Sequence, residues 1–181
     1  MRKIAKGVIV GLLGVVVTSA INFSQSAPSP QAANPLIGTW KFNPQKSRMV
    51  FSLPPRALTR KYEDRGGGVY IFTQEGIAPD GSKMFSMYVA KDDGAEYPLV
   101  IQGADDLGSI SVKRIDAYTS EQTEKRNAGF GNGGSTATRV ISKDGKTLTL
   151  TVKPRQGGQG GQGGAPAEAQ TDMDVLVFDK Q

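Results

Sequence analysis

The sequence predicts an all-β protein, an up-and-down antiparallel β-barrel of eight to ten strands. After Pro35, short runs rich in β-branched and aromatic residues alternate with turn signals. Asp-Gly pairs at 80–81, 93–94 and 144–145 lie between such runs and favour tight hairpins. No amphipathic helical stretch of normal length separates the runs, so the sheet lacks the long crossovers that parallel strands need. The strands are therefore expected to be antiparallel.

The predicted strands follow runs of β-forming residues, and each run ends where Gly, Pro, Asp or Asn residues gather. In chain order they cover 36–42, 58–65, 68–77, 82–90, 95–101, 109–114, 117–126, 135–142, 147–153 and 171–180. An open sheet of this many strands would leave two edges and one apolar face uncovered. Closure into a barrel removes both problems.

Two long connections interrupt this alternation of short strands and tight turns. The first, at 43–57, carries three prolines and an apolar patch formed by Met49, Val50, Phe51 and Leu53. The second, at 154–170, is rich in Gly and Gln and has little to bury. It is predicted to be a flexible hairpin loop outside the core.

The N-terminal residues have the layout of a secretory signal peptide. A basic start is followed by the apolar run 7–17 and by small residues at 18–20. The apolar run is shorter than the ~20 residues that span a bilayer, although an uncleaved anchor is the alternative. We expect a signal peptide at 1–20, a disordered tether at 21–34 and a barrel domain at 35–181. The protein would be exported to the periplasm or the extracellular space, with membrane contact only through an uncleaved signal segment.

Composition excludes several classes of function. The chain has no cysteine and no histidine, which removes thiol nucleophiles, Ser-His pairs and zinc sites built on either residue. Without the predicted signal segment, 19 basic residues face 17 acidic ones, and the two signs are mixed along the chain. We therefore expect no nucleic-acid partner. The acidic pairs at 92–93 and 105–106 lie in predicted turns, where turn chemistry accounts for them. No catalysis, cofactor or metal is expected.

The only tryptophan, Trp40, lies on the first predicted strand. Leu36, Gly38, Trp40 and Phe42 share one face of that strand. Gly38 removes a side chain beside the indole and would let neighbouring backbone approach. Trp40 is then either an ordinary core residue or a plug at one end of the barrel.

The Gly-x-Trp motif, about ten strands, the Asp-Gly hairpins and the closing "VLVFDK" together resemble the lipocalin and fatty-acid-binding-protein group of barrels. The stretch "SISVKRIDAY…TATRVISKDGKTLTLTV" is similar to the later strands of that group. The chain also resembles small exported bacterial lipocalin-like proteins, most of which have no assigned function. The resemblance covers roughly residues 35–180. It implies a barrel-end plug made by Gly38 and Trp40 with an arginine packed across the indole, and Arg139 and Arg114 are the candidates.

The sequence departs from this group in three respects. The resemblance implies a clamp for a ligand carboxylate on the last strand, but Leu176 and Phe178 occupy the positions of its Arg and Tyr. The connection at 43–57 is too rich in proline for the two-helix lid of fatty-acid-binding proteins. There are no cysteines for the disulfides that lipocalins usually carry.

The predicted function is non-catalytic binding or carriage of a small, largely apolar molecule outside the cytoplasm. The alternation of apolar and polar residues does not show which side chains face the barrel interior, because both faces of the central strands are partly apolar. The side chains therefore either line a cavity or fill the barrel, and a filled structural or protein-interaction barrel without a ligand is the alternative function. The candidate ligand-binding residues are Arg60, Tyr62, Tyr70, Phe72, Tyr88 and Arg114. Arg60 or Arg114 would replace the missing clamp if it points inward.

Export gives the first testable expectation. Signal peptidase should cut after the small residues, so that the mature protein begins near Ile21. Intact-mass measurement of protein isolated from its native host should show the loss of residues 1–20. Soluble cytosolic protein that retains Met1 would contradict export.

Overall fold

The structure, a computed structural model, describes residues 34–103, 107–126, 133–153 and 173–181. Ten strands cover most of these residues, and the described part of the chain contains no helix. The strands are β1 (Gly38–Phe42), β2 (Ala57–Gly66), β3 (Val69–Ile77), β4 (Lys83–Ala90), β5 (Asp93–Ile101), β6 (Gly108–Arg114), β7 (Thr119–Arg126), β8 (Gly133–Ile141), β9 (Thr147–Lys153) and β10 (Asp174–Lys180). The predicted signal segment, all but the last residue of the predicted tether, the second acidic pair and the Gly/Gln loop lie outside the described residues.

The strands form a closed up-and-down barrel. Each strand pairs antiparallel with its neighbours in the sequence, and β1 pairs with β10 to complete the circle. The closing register places Trp40 opposite Lys180 and Phe42 opposite Phe178. The predicted all-β antiparallel barrel is confirmed, with ten strands, the upper end of the expected range.

The Asp-Gly turns at 80–81 and 144–145 form hairpin tips, as predicted, whereas Asp93 and Gly94 lie at the irregular start of β5. At all three sites the Asp carboxylate accepts a hydrogen bond from the backbone N–H two residues further on. The donors are Ser82, Ala95 and Lys146, at 2.8, 2.9 and 3.0 Å. The glycine after each Asp has a positive φ, between 70 and 95°. These turns depend only on residues close in the sequence, which is why the sequence predicts them.

The two ends of the barrel differ. The odd-numbered strands begin at what we call the packed end, where Leu36, Trp40 and Tyr70 are fully buried. They finish at what we call the open end, where Gln74 and Val152 line a cavity. The packed end holds structural contacts and the open end holds the candidate ligand site.

The segment after β1 extends the barrel wall along β10 toward the open end. Arg48 and Val175 exchange two backbone hydrogen bonds of 2.8 and 2.7 Å. The Asp174 carboxylate then accepts hydrogen bonds from the Phe51 N–H at 2.9 Å and from the Ser52 hydroxyl at 2.7 Å. Burial alone would raise the pKa of Asp174, but these hydrogen bonds outweigh it and hold the pKa below its usual value. The segment is therefore anchored to the wall by a carboxylate.

Closure of the barrel decides which side chains face inward. On β3, Tyr70 and Phe72 are buried inside, and the one side chain between them in the sequence faces outward. On β4, Tyr88 is buried, whereas Val89 lies on the outer surface. The apolar residues of both faces look alike in the sequence, but only one set is enclosed.

A matched pair of truncations tests this assignment. Val112 is 0% exposed and Val89 is 45% exposed, so the same loss of two methyl groups removes core packing only at Val112. We expect Val112→Ala to lower the free energy of unfolding by about 1.5–3 kcal/mol. Val89→Ala should change it by less than about 1 kcal/mol. Urea denaturation of both variants measures the difference, and equal losses would contradict the inward and outward assignment.

Candidate functional site

Trp40 is fully buried at the packed end of the barrel. The chain turns sharply before β1, so that the indole Nε1–H donates a hydrogen bond of 2.8 Å to the Leu36 carbonyl oxygen. The cation that lies over the indole is Lys180, with its Nζ 4.9 Å from the ring centroid. Lys180 Nζ also donates to the Pro35 carbonyl oxygen at 3.2 Å. The last strand thus covers the tryptophan of the first.

Gly38 provides the space for this lysine. Its φ of +137° is one that residues with a side chain rarely adopt, and a Cβ there would lie 2.8 Å from Lys180 Cε. The sequence predicted that Gly38 admits neighbouring backbone. That expectation needs correction, because the atoms that occupy the space belong to the stem of a side chain.

Arg139 is buried at the packed end, and only 1% of it is exposed. Its Nε–H donates to the Ser120 hydroxyl at 2.8 Å, and its Nη2 donates to Asp92 Oδ1 at 3.2 Å. Its guanidinium carbon lies 5.4 Å from the Tyr62 ring centroid and 5.9 Å from that of Tyr70. Burial alone would lower the pKa of Arg139, but the three nearby tyrosines and Asp92 outweigh it and raise the pKa. Arg139 therefore stays charged and belongs to an ion-pair network at the packed end. The expectation that Arg139 or Arg114 packs across the indole needs correction, because Lys180 is the cation over that ring.

Asp92 is the centre of that network. Its side chain is 6% exposed and accepts hydrogen bonds from Tyr70 Oη at 2.7 Å and from Arg114 Nη2 at 2.8 Å, besides Arg139. The sequence assigned the Asp92-Asp93 pair to turn chemistry. This holds for Asp93, whose carboxylate accepts from the backbone two residues on. It does not account for Asp92, which lies between β4 and β5 and whose side-chain partners lie on β3, β6 and β8.

A cavity of about 360 Å³ occupies the other part of the interior and reaches the open end. Its apolar lining consists of Phe72, Met84, Phe85, Leu99, Ile101, Ile110, Ala137 and Val152. Its polar lining consists of Arg60, Gln74, Lys83, Ser86, Tyr88, Gln102, Gln122, Glu124 and Ser135. The barrel is therefore hollow at this end, and its lining is part apolar and part polar.

One inward row of the cavity wall is polar. Arg60 on β2 lies opposite Gln74 on β3, which lies opposite Ser86 on β4. Such neighbours have Cβ atoms roughly 5 Å apart, within reach of one another. Among the described residues, Nε of Arg60 and Oε1 of Gln74 are buried and have no hydrogen-bond partner. Buried polar groups are normally paired, so this row is suited to contact a bound molecule.

The neighbouring row is aromatic. Tyr62, Phe72 and Tyr88 lie opposite one another on β2, β3 and β4. The ring centroids of Tyr62 and Phe72 are 5.1 Å apart, and those of Phe72 and Tyr88 are 4.5 Å apart in a stacked arrangement. Burial raises the pKa of Tyr88, and the charges of Arg139 and Arg60 only partly offset this. The Tyr88 hydroxyl therefore stays protonated, and it has no hydrogen-bond partner in the described part of the chain.

The structure divides the predicted ligand-binding residues into two groups. Arg60, Phe72 and Tyr88 line the cavity. Tyr62 packs beneath it against Phe72, while Tyr70 and Arg114 belong to the Asp92 network and do not line the cavity. The sequence prediction grouped all six residues as ligand-binding, but the structure does not bring Tyr70 and Arg114 to the cavity.

The sequence prediction missed several polar lining residues, among them Gln74, Ser86 and Gln122. A signal was present for two of them. Gln74 shares a strand face with Phe72, and Ser86 shares one with Tyr88. Which face of each strand points inward is known only once the barrel closes. The sequence alone therefore could not assign these residues to the cavity.

No protein-family model matches this chain, and no curated protein is significantly similar to it. In the described part of the chain, no helix has the length and apolarity needed to cross a membrane. Within the same residues, no group of three or more Asp or Glu side chains is placed to hold a metal ion.

The buried network predicts unequal costs for its two central partners. Asp92→Asn leaves Arg139 charged, buried and without a carboxylate partner, so we expect a loss of about 3–5 kcal/mol in the free energy of unfolding. Arg139→Met should cost less, because Asp92 keeps Arg114 and Tyr70 as partners. In the double variant the loss should be clearly smaller than the sum of the two single losses. Urea denaturation measures all three, and additive losses would show that the pair is not coupled.

Proposed function

We propose that this protein binds or carries a small, largely apolar molecule in the cavity at the open end, without catalysing a reaction. The observation that carries the proposal is the cavity itself, about 360 Å³ in a barrel whose other end is tightly packed. This volume lies within the range of pockets that take small ligands, roughly 300–1,000 Å³. We propose, on the basis of the predicted export segment, that this activity lies outside the cytoplasm.

The lining supports a ligand with an apolar body and a polar end. Leu99, Ile110 and Val152 offer apolar surface, and burial of a ligand there contributes about 25 cal/mol for each Å² removed from water. A few polar groups among apolar ones are typical of sites that bind and orient a small molecule. The chain has no histidine and no cysteine, so binding without catalysis is the simplest activity for this site.

The proposal also concerns the protein family to which the barrel belongs. A closed barrel of ten antiparallel strands is compatible with the lipocalin and fatty-acid-binding-protein group, which the Gly-x-Trp motif also suggests. We therefore propose a lipocalin-like carrier. Membership of that group would not identify the ligand, because the clamp positions on β10 hold Leu176 and Phe178.

A second candidate is an interaction barrel that contacts other macromolecules through its surface. The observation that favours it is the segment 50–53, where Val50, Phe51 and Leu53 are 45, 39 and 75% exposed. Hydrogen bonds from Val50 N–H, Phe51 N–H and the Ser52 hydroxyl to Asp174 hold this segment in place. Exposed apolar side chains on an anchored segment are suited to a contact with another molecule.

Filling the cavity separates the two candidates. Ala137 lines the cavity, whereas Val140 on the same strand faces outward and is 40% exposed. We expect the uncharged dye N-phenyl-1-naphthylamine to bind the wild type with increased fluorescence, and Ala137→Phe to weaken binding at least about tenfold by occupying the space. The control variant Val140→Phe should bind like the wild type.

Thermal unfolding of both variants shows whether they remain folded. If the dye does not bind the wild type, the proposal of a small-molecule carrier fails and the interaction barrel is favoured. If both variants bind the dye equally well, the dye binds elsewhere and the cavity is not the site.

A further inference from the structure

Arg60 is a charged side chain inside the barrel that lacks a charged partner. No carboxylate among the described residues forms an ion pair with it, whereas Arg114 and Arg139 both pair with Asp92. Its Nε is buried and has no hydrogen-bond partner in the same residues. Arg60 is partly exposed and lines the cavity, so a bound anion could reach its guanidinium and supply the missing partner.

The guanidinium of Arg60 is held in position before any ligand binds. Its central carbon lies 5.5 Å from the Phe72 ring centroid and 5.1 Å from that of Phe178. Contacts with two aromatic rings stabilise the cation and limit its movement. A ligand that binds Arg60 therefore loses less free energy to ordering of the side chain than it would at a mobile arginine.

Other hydrogen-bond donors lie beside Arg60. The Gln74 amide is directly opposite Arg60, and the Ser86 hydroxyl is the next group in the same row. The Tyr88 hydroxyl, in the adjacent row, is buried and lacks a partner among the described residues. An amide and two hydroxyls can each donate a hydrogen bond to an oxyanion beside a guanidinium. These groups lie in two neighbouring rows of one wall, where the Gln74 amide nitrogen and the two hydroxyls could donate to an anion and the partnerless Gln74 Oε1 could accept from Arg60.

The cavity wall opposite Arg60 carries an acidic residue. Glu124 lines the cavity from β7, and the strand order places β7 five strands away from β2 in a ring of ten. Arg60 and Glu124 therefore lie on opposite sides of the interior. A ligand with an anion at both ends would place one of them toward Glu124.

We infer that the molecule bound in the cavity is an amphipathic monoanion, with a carboxylate or a similar oxyanion at Arg60 and an apolar body against Leu99, Ile110 and Val152. This inference rests on the proposed function and specifies its ligand class. It places the anion-binding residue on β2, beside the polar row of β3 and β4. The sequence left Arg60 and Arg114 as alternatives, and Arg114 lies at the packed end, paired with Asp92.

Calorimetric titration of the full-length protein with four ligands of equal chain length tests this inference. We expect octanoate to bind about 10- to 100-fold more tightly than octanol, the range for a hydrogen bond to a charged group. Octylammonium should bind more weakly than octanol because it repels Arg60. Suberate, the dicarboxylate, should bind more weakly than octanoate.

Two variants on the same strand distinguish Arg60 from general charge effects. Arg60→Met removes the cation and keeps an apolar side chain, so octanoate should lose its advantage while octanol binding changes little. Lys61→Met removes the same charge from the next residue, which is half-exposed on the outer face, and should leave both affinities unchanged. Gln74→Glu places a carboxylate opposite Arg60 and should weaken octanoate more than octanol.

The possible results separate the inference from the proposed function. Equal binding of octanoate and octanol to the wild type would overturn the inference and leave a carrier of apolar molecules. The same holds if Arg60→Met, shown to be folded by its thermal unfolding, keeps the preference for octanoate. If neither these ligands nor the naphthylamine dye binds the wild type, the proposed function fails and the inference fails with it.

Discussion

Closure of the sheet between the first and last strands is the constraint on which the rest of the structure depends. Only three residue pairs join β1 to β10, from Trp40↔Lys180 to Phe42↔Phe178. The segment after β1 extends this seam through the exchange of hydrogen bonds between Arg48 and Val175. Because the circle is closed, every described strand has a paired neighbour on each side and one of its faces is enclosed. Trp40 and Lys180 secure the seam at the packed end.

The enclosed space is used differently at its two ends. At the packed end, Asp92 accepts hydrogen bonds from Arg139, Arg114 and Tyr70, although Nη1 of Arg139 has no partner among the described residues. Such a network is costly to break, because removal of one partner leaves another charge buried. At the open end, Arg60 and the polar atoms beside it lack such partners within the described residues. Polar groups that a protein does not satisfy internally are candidates for contact with a ligand, and the cavity makes those at the open end accessible to one.

The register of the strands explains how both arrangements arise from similar residues. Tyr62, Phe72 and Tyr88 form one row, and Arg60, Gln74 and Ser86 form the next, because each pair of strands is aligned residue by residue. A shift of one residue between two strands would exchange inward and outward side chains and dissolve both rows. The aromatic row supports the guanidinium of Arg60 through Phe72, so the core and the candidate site share the same side chain.

The sequence by itself determined the strands and the hairpins. Turns such as Asp80-Gly81 depend on hydrogen bonds over two residues and on the backbone freedom of glycine, and both can be inferred from adjacent residues. The sequence also indicated a special role for Trp40 at the barrel end. Only the tertiary structure decided that Asp92 binds Arg139, 47 residues away, and that Arg60 rather than Arg114 faces the cavity. These facts depend on which strands become neighbours and which face is enclosed. Strands with apolar residues on both faces do not show their inner side until the barrel closes.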